Sequence, residues 1–74
     1  MQIFIKNKRT TVYEINKLDT IEFLQDQIYD KEGIPSKYYY LVHNGKILDS
    51  NKTIGFYSIE RESTIYLNIK LYVD

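Results

Sequence analysis

Only one long stretch of the chain, from Thr20 to Glu32, repeats its apolar residues with helical spacing. Ile21, Leu24 and Ile28 line one stripe of it. Thr20 stands where an N-cap is needed, and Glu22 lies in the first turn, where the helix dipole favours a carboxylate. Gly33 supplies the stop and Pro35 prevents continuation, which predicts a helix over about residues 20 to 32. On both sides of this segment the apolar residues fall on alternate positions. Met1, Ile3 and Ile5 share one face of a first strand, and Thr11 to Ile15 repeats the pattern. Near the end Ile65, Leu67, Ile69 and Leu71 alternate with Tyr66, Asn68, Lys70 and Tyr72.

The connections fix how these pieces meet. Asn7-Lys8-Arg9-Thr10 is polar and lacks glycine, although Asn7 is a residue that can take a left-handed turn conformation. Tyr38 to His43 is rich in strand formers, and Asn44-Gly45 before Lys46-Ile47-Leu48 is a strong hairpin signal. Asp49 to Ser63 is mostly polar and reads as a long loop with one helical turn, anchored by Ile54, Tyr57 and Ile59. Two strands, a helix, two strands and a final strand suit an α+β fold, a mixed sheet with one helix packed across a face. Parallel neighbours need a crossover, so the helix joins the second strand to a later one and leaves the terminal strands free to pair centrally, the arrangement of a β-grasp sheet. One domain is expected over residues 1–74, with a core of Ile3, Ile5, Ile15, Ile21, Leu24, Ile28, Leu41, Ile59, Leu67 and Ile69.

A chain of 74 residues buries only roughly 60 to 65% of the surface its unfolded form exposes, so its stability rests on packing. It has no cysteine and one histidine, His43, which leaves neither a disulfide nor a metal staple to add to it. Ten basic residues balance ten acidic ones, so no net field favours nucleic acid or an anionic membrane. Apolar runs fall far short of the roughly 20 residues that span a bilayer, and no signal-peptide pattern opens the chain. A monomer inside the cell, in cytoplasm, nucleus or both, is the expectation. No catalytic group is evident either. His43 has no nucleophile or second histidine near it in sequence, and Glu60 and Glu62, with Arg61 between them, read as a solvated loop. No cofactor is expected.

Five blocks stand in the order and nearly the spacing found in ubiquitin: Met1-Gln2-Ile3-Phe4, Asp19-Thr20-Ile21-Glu22, Asp30-Lys31-Glu32-Gly33-Ile34-Pro35, Gly45-Lys46 and Glu62-Ser63-Thr64. The chain therefore resembles the ubiquitin family along essentially its whole length. The resemblance implies a β-grasp fold and work done by protein docking or by covalent attachment through the C-terminus. Its implied partners are ubiquitin receptors, proteasomal subunits or enzymes of the ubiquitin pathway.

Departures from that pattern bear on function. The first hairpin is about two residues shorter, which removes the turn leucine of the family's main docking patch. By position, Val42 replaces the patch's central isoleucine, Tyr66 its histidine and Asn68 its valine. Gln25 and Ser50 replace both halves of a lysine–aspartate pair, so neither charge is left alone. Val73 and Asp74 stand where the family's modifiers carry two glycines, and a β-branched residue with an extra carboxylate fits badly in a channel that only glycine lets a backbone approach. If Asp74 is the natural end, conjugation through it is not expected.

The docking residues implied are Tyr40, Val42, Lys46, Tyr66, Asn68 and Lys70. For the run Tyr38-Tyr39-Tyr40 the alternative is one ring in the core and the others incidental strand formers; Tyr40 is preferred for the surface because it shares a face with Val42. Lys6, Lys31 and Lys46 match acceptor lysines of the family, whereas Arg61 replaces another and cannot form an isopeptide bond. Plain solvation is the alternative for those lysines. Three functions stay open: a docking module, a conjugated modifier whose glycines lie beyond residue 74 or were removed, and an enzyme, for which no constellation speaks.

Overall fold

The computed structural model describes residues 1–71; Tyr72, Val73 and Asp74 lie outside them. Strands β1 (Gln2–Lys6) and β2 (Thr10–Glu14) form an antiparallel hairpin with Ile3 opposite Tyr13 and Ile5 opposite Thr11. Its turn does not use a left-handed Asn7: among the described residues the non-glycine positions with positive φ are Asn44, Ser58 and Glu62. The Asn7 N–H instead donates to the Arg9 carbonyl at 3.0 Å, and that bond closes the turn.

Helix α1 (Ile21–Glu32) is bounded as its ends require. The Thr20 hydroxyl accepts the Phe23 N–H at 3.1 Å, and Gly33, at φ 72°, donates its N–H to the Tyr29 carbonyl. A short 3-10 turn, Ser36–Tyr38, follows Pro35 and delivers the chain to β3 (Tyr39–His43). Asn44 and Gly45, both at positive φ, make the two-residue turn into β4 (Lys46–Ile47). The expected long loop carries its helical turn at Gly55–Tyr57. It is stitched to the helix entry by bonds of 2.8 Å from Ile54 N–H to the Asp19 carbonyl and from Ile21 N–H to the Lys52 carbonyl. The final strand, β5, runs from Thr64 to Ile69.

The sheet order is β2-β1-β5-β3-β4, with β1 parallel to β5 and every other pair antiparallel. This is the mixed sheet and single helix of a β-grasp. Its inner face gives Ile3, Ile5, Tyr13, Tyr39, Leu41, Ile65 and Leu67 to the core, the helix gives Ile21, Leu24 and Ile28, and Ile15, Leu48, Ile54 and Ile59 complete it. Ile69 was expected there and is not: it is 50% exposed. It has the inward parity of Leu67 but occupies the last position of β5, opposite the first residue of β3, so it lies at the rim of the sheet.

Candidate docking surface

Residues that alternate with the core positions point away from the helix, and the strand registers set them in rows. Val42 lies opposite Tyr66 across β3 and β5, and Val42 also lies opposite Ile47 across β3 and β4. Tyr66 in turn is in register with Lys6 of the parallel β1, and Lys6 with Thr10 of β2. One row, Thr10–Lys6–Tyr66–Val42–Ile47, therefore crosses all five strands. At a strand spacing of roughly 5 Å its apolar part, Tyr66 to Ile47, is about 10 Å wide. Beside it Tyr40 lies opposite Asn68, and Lys70 continues the parity of β5, its N–H held by the Tyr38 carbonyl at 2.8 Å.

The implied docking residues are thus largely brought together. Tyr40 and Tyr66 are both exposed, and Val42 between their strands is half-buried. Lys46 is placed differently. It lies opposite His43 at the hairpin tip, one position off the row. Ile47 takes the place beside Val42 and is 66% exposed, which makes it the most exposed apolar member of the surface, and sequence reasoning missed it. The signal was present, because a two-residue turn at Asn44-Gly45 fixes Val42 opposite Ile47. Phe4, opposite Val12 and Thr64, adds a half-buried ring on the same face.

Behind this face the tyrosine run divides. Tyr39 is 2% exposed, while Tyr38 and Tyr40 reach solvent. Burial pushes the Tyr39 phenol up to about 12, with the neighbouring Tyr13 and Asp26 acting in the same direction. Tyr13 is raised too, chiefly by its own burial. Among the described residues neither hydroxyl has a hydrogen-bond partner. His43 is half-buried, its Nδ1 3.2 Å from the Thr64 carbonyl, so it ties β3 to β5.

The three candidate acceptor lysines differ sharply. Lys6 and Lys46 are exposed, and among the described residues neither amine has a hydrogen-bond or ion-pair partner. The Lys31 amine donates to the Val12 carbonyl and sits 4.3 Å from the centre of the Tyr13 ring. One residue further on, Glu32 pairs with Arg9 at 2.7 Å, so the last helical turn grips the first hairpin twice.

Comparison with known proteins agrees with the fold. Residues 3–72 match the Ubiquitin family. The chain is similar to the NEDD8-like protein RUB3 of Arabidopsis thaliana, 40% identical over 58 residues that make up 78% of this chain and 74% of that protein. The ubiquitin-like protein NEDD8 of Dictyostelium discoideum is 33% identical over 58 residues, 78% of this chain and 75% of that protein. The E3 ubiquitin-protein ligase UPL5 of Arabidopsis thaliana is 31% identical over 70 residues, 90% of this chain but only 8% of the ligase.

Proposed function

Because the chain belongs to the ubiquitin family, we propose that it is a noncatalytic docking module recognised noncovalently by components of the ubiquitin and proteasome pathway. What carries this reading is the row Tyr66–Val42–Ile47 with Tyr40 beside it, an apolar strip bordered by Lys6 and Lys70. An apolar centre with a charged rim is the ordinary anatomy of a protein-binding patch. Ubiquitin receptors, proteasomal subunits and ubiquitin-pathway enzymes are the partners, and cytoplasm and nucleus the compartments where they would be met. The similarity to a small part of UPL5 supports the reading, since a domain of this kind there forms part of a much longer protein.

A second reading has its own support. Two relatives matched over about three quarters of their length carry the name NEDD8, which favours a modifier conjugated through its C-terminus. Two experiments separate the two. In the first, a ubiquitin-binding domain is titrated into labelled protein, and docking requires amide shifts at Val42, Ile47 and Tyr66; changes confined to the helix around Phe23 and Tyr29 would place the working surface elsewhere. In the second, residues 1–74 are offered to a ubiquitin-family activating enzyme with ATP, beside a variant with Val73→Gly and Asp74→Gly. Thioester formation by the unaltered chain would establish the modifier reading, and formation only by the glycine variant would identify those two positions as the block.

A further inference from the structure

We infer that the outer edge of β2 is a strand-pairing site for a second copy of this chain, held shut by Lys31. The order β2-β1-β5-β3-β4 leaves two edges. The β4 edge is two residues long, too short to template much, whereas β2 offers five residues rich in strand formers, Thr10-Thr11-Val12-Tyr13-Glu14.

The hydrogen-bond pattern identifies which backbone groups face outward. Met1 and Ile15 exchange both of their bonds, each at 2.9 Å. Opposite pairs in an antiparallel ladder alternate between bonded and non-bonded, so Ile3–Tyr13 and Ile5–Thr11 are bonded and Phe4–Val12 is not. The Phe4 N–H accordingly turns the other way, to the Ser63 carbonyl at 2.9 Å. The N–H and C=O of Thr10, Val12 and Glu14 therefore point off the sheet. The Lys31 amine takes the middle carbonyl of these, Val12, while its stem is held against the Tyr13 ring.

The occupant that fits is β2 of another copy, antiparallel about a two-fold axis at Val12. That register sets Val12 opposite its own counterpart, Thr10 opposite Glu14 and Thr11 opposite Tyr13, with no like charges facing. Every bonded pair in it uses the groups already shown to face outward, and the two sheets become one. Two Lys31 ammonium groups on the same seam oppose this twice: each occupies a carbonyl the ladder needs, and the two repel. Lys31 thus keeps the chain single, and removing its charge exposes the edge.

Sedimentation and amide exchange test this on Lys31→Gln, Lys31→Met and Lys31→Arg, with folding of each checked by circular dichroism. Methionine keeps an apolar stem over Tyr13 if glutamine proves too disruptive. The neutral variants are expected to shift from 8.9 kDa toward twice that mass as concentration rises, and their Val12 amide to exchange about tenfold more slowly than in Lys31→Arg, which stays monomeric. Val12→Pro removes only an outward N–H and is tolerated on an edge strand, so adding it to Lys31→Gln restores the monomer. Folded neutral variants that stay monomeric at millimolar concentration with unchanged Val12 exchange would overturn the inference, as would a dimer that survives Val12→Pro.

Discussion

Val42 and Tyr66 stand opposite one another across the β3–β5 ladder, on the face turned away from the helix, and each has a further neighbour in the same row, Ile47 and Lys6. Truncation at the centre of such a row removes apolar area on both sides at once. Val42→Ala and Tyr66→Ala are each expected to weaken capture of a ubiquitin-binding domain by roughly tenfold, with Ile47→Ala close behind. Calorimetric titration checks this. Affinity unchanged from that of the unaltered chain in all three variants would remove the row from the interface.

The same face lacks the turn leucine of ubiquitin and carries Asn68 beside Tyr40. An aliphatic side chain fully buried in a complex is worth roughly 1 to 3 kcal/mol, and two such side chains are missing here. Side-by-side titrations with one receptor domain should therefore show weaker binding than ubiquitin, and Asn68→Val should recover part of the difference.

Depth, more than parity, sets the cost of a core truncation. Leu67→Ala removes a buried side chain from the middle of β5 and is expected to cost about 2 to 5 kcal/mol. Ile69→Ala, two residues along the same face, is expected to cost about 1 kcal/mol or less, because half of Ile69 is already in solvent. Urea unfolding of the two variants gives the comparison directly.

Tyr39 makes stability depend on alkaline pH in a defined direction. Its phenol ionises near 10.0 in the unfolded chain and only near about 12 in the fold. The unfolded state therefore releases the proton first, so the contribution is complete below pH 10 and is lost as pH rises from about 10 to about 12. Urea midpoints should fall across that window, and Tyr39→Phe should flatten the fall. At neutral pH the same substitution removes a buried hydroxyl without a partner, and it is expected to leave stability unchanged or slightly raised.

The helix cap offers a cleaner test of local chemistry. A Cβ at Gly33 would meet nothing within 4 Å, so Gly33→Ala carries only the backbone penalty of φ 72°, about 1 kcal/mol. Thr20→Ala, which leaves the Phe23 N–H without its cap, is expected to cost a similar amount. Thermal melts resolve shifts of this size in a domain this small.

What the sequence revealed was mostly what short-range chemistry controls. The helix limits follow from Thr20, Gly33 and Pro35, and the second hairpin from Asn44-Gly45, because each rests on residues adjacent in the chain. Parity likewise separated Tyr40 from the core, and the structure adds that Tyr39 is the buried ring of the run. Periodicity gives a face and not a depth, which is why Ile69 was misplaced at the end of its strand. The grip of Lys31 on the Val12 carbonyl joins a helix to a strand edge through a side chain and a backbone atom. No residue pattern announces an interaction of that kind. The surface row lies between these cases: several of its members were identifiable, but its continuity from Lys6 to Ile47 depends on three registers at once.

The parallel pairing of β1 with β5 places the first and last strands side by side at the centre of the sheet, Phe4 beside Thr64. On a ribosome, the β1–β2 hairpin and the helix emerge long before the strand that must lie beside β1. Until Thr64–Ile69 clears the exit tunnel, Ile3 and Ile5 lack the neighbours that bury them, so folding is deferred until β5 has emerged, and the β1–β5 pairing then closes a long loop. A nascent chain stalled before β5 is consequently the species most in need of a chaperone.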